Sequence, residues 1–183
     1  MNSETDVTSS WPAYARRVIE RAVSAADTRS VPPPANATQS HGGAFVTLRK
    51  FRHLRGCMGT LNPEESLADA VRQAAVSAAL HDPRFPAVTA GELADLRIEV
   101  SVLSAPWPMG HLAELELGRH GILIRRQNKR GLFLPQVATE HRLDKETFLS
   151  RCCSEKAGLP ADAWRDVDTE VLLFTADVYA EDE

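Results

Sequence analysis

The spacing of apolar residues predicts two amphipathic helices in the first half of the chain. In the first, Ser10 is the expected cap, Pro12 lies in the first turn, and apolar residues recur on one face to about Ala26. The second is predicted to open at Glu64 and to keep a helical period until Pro83, which cannot continue a helix. Each helix therefore has one face suited to packing against a core.

Short apolar or alternating runs predict six strands, at about residues 44–48, 53–61, 96–104, 121–126, 131–137 and 170–179. The first two strands are separated by KFR and the fourth and fifth by QNKR, so each pair is expected to form an antiparallel hairpin. Pro135 should mark the end or the edge of the fifth strand, because proline has no N–H to donate to a ladder.

A third helix is predicted between Asp144, its cap, and Gly158, its stop. Strands joined by hairpin-length links and interrupted by helices at irregular intervals favour an α+β fold over a doubly wound parallel one. The expected sheet is mainly antiparallel, or mixed, and flanked by helices. Residues 1–9 are expected to form a frayed start, and residues 10–180 a single domain with room for a small subdomain. The proline-rich stretch at residues 28–43 is predicted to be a surface connection.

Composition narrows the class of protein. The chain has 183 residues, 43% of them hydrophobic and 25% charged, which is typical of one soluble globular domain. No apolar stretch is long enough to span a membrane, and the polar, acidic start does not resemble a secretory peptide, so a cytoplasmic protein without membrane association is expected. Three cysteines, two of them adjacent, indicate reduced thiols instead of a disulfide framework.

Positive charge is concentrated in two segments that contain no acidic residue. Residues 49–55 carry four positive charges and residues 119–130 carry five, so the net charge of −4 leaves −13 on the rest of the chain. If the two segments meet in the fold, they form a patch that attracts a small anionic ligand. The alternative is two solvated hairpins whose basic edges discourage aggregation.

Cys57 is the first candidate for chemistry, because it lies in the segment LRGCMG. A guanidinium at Arg55 favours the nucleophilic thiolate, and Gly56 and Gly59 allow another molecule to approach closely. Arg55 and Cys57 share a face of the strand only if it is not bulged at Gly56. The alternative is that Cys57 is a small buried hydrophobic residue.

Two further side chains are candidates for the same chemistry. His120 precedes a strand in the second basic segment, where it serves as acid, base or donor to an anion, or else as a turn residue. Gln136 follows a proline and presents a rigid amide to substrate, or else caps backbone. His81 is expected to cap a helix, and Cys152 and Cys153 are assigned no chemistry. No spacing of histidines or cysteines matches a metal site, so neither metal nor cofactor is expected.

Six segments follow one another along the chain in a recognisable order: FVTLRKFRHLRGCMGTL, SAALHDPRFPAV, LRIEVSVLSAP, GRHGILIRR, GLFLPQVATE and FLSRCCSEKAGLPADAW. This series resembles the AMMECR domain family, and within it the group called AmmeMemoRadiSam system protein A, over about residues 10–180. The resemblance implies an α+β fold, a cleft near LRGC, and partnership with a Memo-like protein and a radical SAM protein. By position, Cys57, Arg55, His120 and Gln136 match the family's motif residues. The resemblance does not imply a settled reaction. The chain departs from the usual pattern at Met58 and His81.

Two functions remain open. In the first, the protein is an enzyme in which Cys57 is a nucleophile or thiol carrier, Arg55 and the second basic segment hold a small anionic substrate, and His120 is the acid or base. In the second, it is a non-catalytic module that docks onto the Memo-like or radical SAM partner, and Cys57 is structural. Nucleic acid is a weaker expectation, because the chain is acidic overall and lacks a run of aromatic residues among its arginines.

Overall fold

The computed structural model describes residues 10–35, 42–61 and 65–181. The predicted frayed start at residues 1–9 and the predicted helix opening at Glu64 lie outside these ranges. The chain divides into two compact units, one formed by Met1–Leu103 with Asp177–Glu183 and the other by Ser104–Ala176. Within the described residues, no helix is long and apolar enough to cross a membrane.

In the described part of the chain, the regular structure consists of four α-helices and seven strands, with a few shorter turns. The helices are α1 (Trp11–Val23), α2 (Leu67–Leu80), α3 (Pro135–Glu140) and α4 (Lys145–Arg151). The strands are β1 (Ala44–Lys50), β2 (His53–Thr60), β3 (Leu96–Leu103), β4 (Trp107–Pro108), β5 (His120–Arg126), β6 (Lys129–Phe133) and β7 (Glu170–Ala180). Short 3₁₀ turns lie at Thr28–Ser30, Ala90–Asp95, Leu112–Glu114 and Ala163–Arg165, and a π-helical turn lies at Cys152–Ala157.

The fold is α+β with an antiparallel sheet, as the sequence predicted. In the first unit the strand order is β2–β1–β3, followed by the last residues of β7. In the second unit the first part of β7 pairs with β5, β5 pairs with β6, and the short β4 also pairs with β7. The two predicted hairpins, β1–β2 and β5–β6, are both confirmed.

The core of the first unit lies between helices α1 and α2 and the sheet. Ser10 caps α1 and Ser66 caps α2 through their side-chain oxygens, which accept backbone N–H bonds. The helix α1 ends at Val23 and not near Ala26, because Ala25 adopts a left-handed φ of 54°. Buried side chains from α1, β1, α2 and β3 fill the space between them: Tyr14, Val18, Ile19, Val46, Leu48, Val71, Ala74, Ile98 and Val100.

The second unit has its own core, in which Phe133 stacks on Phe148 with 5.6 Å between ring centroids. The predicted strand at residues 131–137 is wrong at its end, because Pro135 begins the helix α3 instead of closing a strand. Proline suits the first turn of a helix, whose N–H groups have no partner within the helix. Asp144 caps α4 as predicted, and the π-helical turn ends at Gly158, whose φ is 63°.

Candidate functional site

The Cys57 thiol lies on the half-buried face of β2, an edge strand of the sheet. Its partner across the ladder is Thr47 on β1, so the two side chains stand next to each other on the same face. The Thr47 hydroxyl donates a hydrogen bond to the Cys57 sulfur, with 3.4 Å between Oγ1 and Sγ. The strand pairing therefore places a hydroxyl donor on the thiol.

The backbone of Cys57 is held by the turn that follows α2. Its N–H donates to Oδ2 of Asp82 at 2.9 Å, and its carbonyl oxygen accepts from Nη2 of Arg84 at 3.0 Å. Backbone groups on the outer side of an edge strand have no neighbouring strand to pair with. Asp82 and Arg84 take the place of that missing strand at Cys57.

Asp82 and Arg84 form an ion pair with very different exposure of its two ends. The Asp82 side chain is only 2% exposed, whereas the Arg84 side chain is 53% exposed. Asp82 accepts from the Arg84 backbone N–H at 3.1 Å, from Nε at 2.9 Å and from Nη2 at 2.7 Å. The buried carboxylate thus fixes the plane of a guanidinium that faces solvent beside the thiol.

The electrostatics of this pair keep both groups charged. Hydrogen bonds from the Arg84 guanidinium hold the pKa of Asp82 well below its usual range, and the N–H of Cys57 adds to the effect. The hydrogen bond to Asp82 raises the pKa of Arg84, and the neighbouring Cys57 sulfur contributes in the same direction. Arg84 is therefore a cation that interacts electrostatically with Cys57.

Arg55 lies at an irregularity in the pairing of β2 with β1. The ladder pairs Leu48 with Gly56 and then Arg49 with Leu54, so Arg55 is the extra residue of a bulge. The sequence analysis considered a bulge at Gly56, which would place Arg55 and Cys57 on different faces of the strand. The bulge lies one residue earlier, at Arg55 itself.

The Arg55 guanidinium binds the segment after α2 and is only 12% exposed. Its Nε and Nη2 each donate to a carboxylate oxygen of Glu92 at 3.0 Å, and Nη1 donates to the Pro86 carbonyl at 2.9 Å. Lys50 also donates to Glu92, at 3.2 Å. Chiefly because of Arg55, the pKa of Glu92 is lowered to about 2. These contacts give the predicted substrate-binding role of Arg55 no support.

The two glycines around Cys57 are required by internal packing. A Cβ at Gly56 would lie 2.2 Å from the carbonyl oxygen of Ala78 in α2. A Cβ at Gly59 would lie 2.4 Å from the ring of Phe45, its partner on β1. The protein itself occupies the space that the sequence analysis assigned to an approaching molecule.

His120 and Gln136 lie in the second unit. His120 is buried. Its ring nitrogen Nδ1 accepts a hydrogen bond from the backbone N–H of Glu116 at 3.1 Å, and its backbone N–H donates to the backbone carbonyl of Glu116 at 2.9 Å. Its ring meets Trp107 edge-on. His120 thus closes the turn before β5, which leaves Nε2 as its nitrogen for chemistry. Gln136 is half-buried in the first turn of α3, where its backbone carbonyl oxygen accepts a hydrogen bond from the Thr139 hydroxyl.

The basic segments are partly neutralised by acidic residues from elsewhere in the chain. Residues 49–55 lie in the first unit and residues 119–130 in the second. At least five of their nine positive charges form ion pairs: Lys50 and Arg55 with Glu92, Arg119 with Glu116, Arg125 with Glu170, and Arg126 with Asp166 and Asp168. The field that either segment presents to a ligand is weaker than the sequence alone suggests.

Asp82 and Arg84 are the site residues that the sequence analysis missed, although both lie in SAALHDPRFPAV, one of the segments that carry the family resemblance. The available signal was an aspartate before proline at a helix end, a common start of a turn in which the carboxylate accepts the N–H two residues on. His81 caps α2 as predicted. In the described ranges, no three His, Cys, Asp or Glu side chains are grouped so that they could hold a metal ion.

Comparison with known proteins identifies the family. The sequence model of AMMECR1 matches residues 12–179. The chain belongs to the AMMECR1 family. Among relatives of this AMMECR1 protein, one from Methanopyrus kandleri is 43% identical over 160 residues, covering 82% of this chain and 77% of the relative. Another, from Thermococcus kodakarensis, is 40% identical over 187 residues, covering 94% of this chain and 91% of the relative.

A solved structure supports the same fold for this AMMECR1 chain. The crystal structure of an uncharacterised protein from Pyrococcus horikoshii superposes with a TM-score of 0.84 at 36% identity. The match covers 94% of this chain and 90% of the Pyrococcus chain. The family resemblance indicated by the sequence motifs is therefore confirmed.

Proposed function

We propose that this AMMECR1 protein is a cysteine-dependent enzyme that acts on a small anionic substrate, with Cys57 as nucleophile or thiol carrier. A nearby cation favours the thiolate, which is the reactive form of cysteine. The observation that carries the proposal is the pair of polar contacts at Cys57: the Thr47 hydroxyl donates to its sulfur, and the exposed guanidinium of Arg84 donates to its backbone carbonyl.

The other two thiols are poor candidates for this chemistry. Cys152 and Cys153 are fully buried in the core of the second unit. Burial raises the pKa of both thiols, because the interior disfavours the charged thiolate. Cys57 is the cysteine that combines access with a cationic neighbour.

The proposed division of labour follows from the contacts of each side chain. Thr47 donates to the sulfur and orients it, and Asp82 holds Arg84 in place through its buried carboxylate. In this proposal His120 acts through Nε2 as acid or base, and Gln136 binds substrate. Both roles rest on the place of these residues in the family motifs. A Memo-like protein and a radical SAM protein are the proposed partners, on the strength of the AmmeMemoRadiSam resemblance.

A trapping experiment tests the proposal. The native protein is incubated with fractions of small anionic metabolites, and intact mass and peptide mapping then locate any covalent adduct. An adduct on Cys57 that is absent in Cys57→Ser supports the enzyme. Adducts confined to other residues, or none in any fraction, contradict it.

The second candidate function is a partner-binding module, favoured by the tip of the β1–β2 hairpin. The turn residues Phe51 and Arg52 have φ values of 49° and 69°, although neither is glycine. Phe51 is also 71% exposed. Left-handed backbone at a non-glycine residue costs about 1 kcal/mol, and such strain is found where a residue has a role other than stability.

The two functions make opposite predictions for one pair of variants. If the protein is a docking module, Phe51→Ala weakens binding to the purified Memo-like or radical SAM protein, and Cys57→Ser leaves both binding and biological activity unchanged. If it is an enzyme, Cys57→Ser abolishes activity and keeps the partners bound.

A further inference from the structure

Arg84 offers part of its guanidinium to solvent directly beside Cys57. Its Nε and Nη2 donate to Asp82, and Nη2 also donates to the Cys57 carbonyl. In residues 10–35, 42–61 and 65–181, no acceptor is hydrogen-bonded to its Nη1. The side chain is 53% exposed, in contrast to that of Arg55.

The guanidinium is held before any ligand arrives. Two of its nitrogens donate hydrogen bonds to the Asp82 carboxylate, which is almost completely buried. The centroid of the Phe85 ring lies 5.5 Å from the guanidinium carbon. A cation fixed in this way loses little conformational entropy when it binds an anion. Because Asp82 lies beneath the surface and Arg84 on it, the pair is a dipole with its positive end toward solvent.

We infer that Arg84 is the anion-binding residue of the Cys57 site and that its ligand is a compact oxyanion, a carboxylate or a phosphate group. This inference rests on the proposed function, because it assigns the anion to the substrate of Cys57. Asp82 is a positioning residue that acts through Arg84. Planar guanidinium N–H groups match carboxylate and phosphate oxygens in geometry as well as charge.

The contacts also restrict where the anion lies in the substrate. Arg84 donates a hydrogen bond to the backbone carbonyl of Cys57, so its guanidinium contacts the same residue that carries the thiol. An anionic group at Arg84 therefore lies only a few bonds from the atom that Cys57 attacks. Iodoacetate has this arrangement, and iodoacetamide is its neutral counterpart.

The first experiment compares the alkylation rates of Cys57 by iodoacetate and iodoacetamide at pH 7, with glutathione as the reference thiol. The ratio of iodoacetate rate to iodoacetamide rate is expected to exceed that of glutathione by about tenfold, the lower end of electrostatic steering. Arg84→Gln should return the ratio to that of glutathione. Arg84→Lys, which keeps the charge without the planar fork, should give an intermediate ratio.

A matched control comes from Arg165, whose side chain is 56% exposed, is paired with Glu146 and lies in the other unit. Arg165→Gln should leave the ratio unchanged. If Cys57 reacts with neither reagent, the proposed function fails. If it reacts with both at a glutathione-like ratio that Arg84→Gln does not alter, only the anion site is overturned.

A second measurement does not depend on thiol reactivity. Inorganic phosphate and acetate are titrated separately into the Cys57→Ser protein, and the ¹⁵N resonance of Arg84 Nε is followed. A saturable shift with either anion supports the site, and the anion that acts at lower concentration identifies the preferred chemistry. No saturable shift with either at millimolar concentration overturns the site, even where the native thiol is reactive.

Discussion

The buried carboxylate of Asp82 accepts the backbone N–H of Cys57 at 2.9 Å and so joins the turn after α2 to the edge of β2. The same carboxylate holds Arg84, which donates to the carbonyl of Cys57. One aspartate therefore fixes both the backbone of the candidate nucleophile and the cation beside it.

Asp82→Ala should lower the free energy of unfolding by about 2 kcal/mol, because it removes charge-assisted hydrogen bonds and leaves the Cys57 N–H unsatisfied. Urea unfolding measures this loss. The exposed Asp168→Ala is the control and should lose much less stability, because a solvent-exposed ion pair contributes little, although Asp168 is also paired with an arginine. Equal losses in the two variants would contradict the special role of Asp82.

The network around Glu92 predicts a pH dependence of stability. Its pKa is lowered from 4.5 to about 2, chiefly by Arg55, so its contribution is fully present above pH 4.5 and is lost as pH falls toward 2. Unfolding of the wild type and of Glu92→Gln should therefore differ most near neutral pH and converge in acid. A difference that is constant from pH 7 to pH 2.5 would be incompatible with this assignment.

Gly56→Ala should lower stability by about 3 kcal/mol, because the new methyl group would meet the backbone of α2, which cannot move aside as a flexible side chain would. Thermal unfolding tests this expectation. The control is Gly91→Ala, since no atom of the described residues, apart from Gly91 and its two chain neighbours, lies within 4 Å of a Cβ at that position. It should be neutral or slightly stabilising. A Gly56→Ala protein as stable as the control would refute the packing explanation.

Phe51→Asn should raise stability by about 0.5 kcal/mol, because asparagine tolerates the left-handed conformation at the first position of a two-residue hairpin turn. Chemical unfolding gives the difference. An unchanged or lower stability would show that the turn is not strained. The strain would then no longer favour the docking function.

Local signals in the sequence were enough to predict most of the elements. Ser10 and Asp144 cap their helices with their own side chains, so a few neighbouring residues contain the whole interaction. Pro135 was misassigned because proline suits both a strand end and the first turn of a helix. Only packing in the second unit, where Pro135 is buried, decides between them.

The candidate site depends on contacts that no local pattern specifies. Asp82 reaches Cys57 across 25 residues of chain, and Gly56 meets Ala78 in a different element. Motif reasoning selected Cys57 as the candidate nucleophile and assigned the neighbouring cation to Arg55. The bulge at Arg55 and the carboxylate of Glu92 direct that guanidinium elsewhere.

The most direct measurement of the central claim is the rate at which iodoacetamide alkylates Cys57 at pH 7, in the native protein and in the urea-unfolded chain. The account predicts faster reaction in the native protein, although the thiol is half-buried there, because it makes Cys57 a nucleophile held beside the Arg84 guanidinium. Arg84→Gln should remove that advantage while the unfolded rate stays the same. A native rate well below the unfolded rate would contradict the account and leave Cys57 as a structural residue.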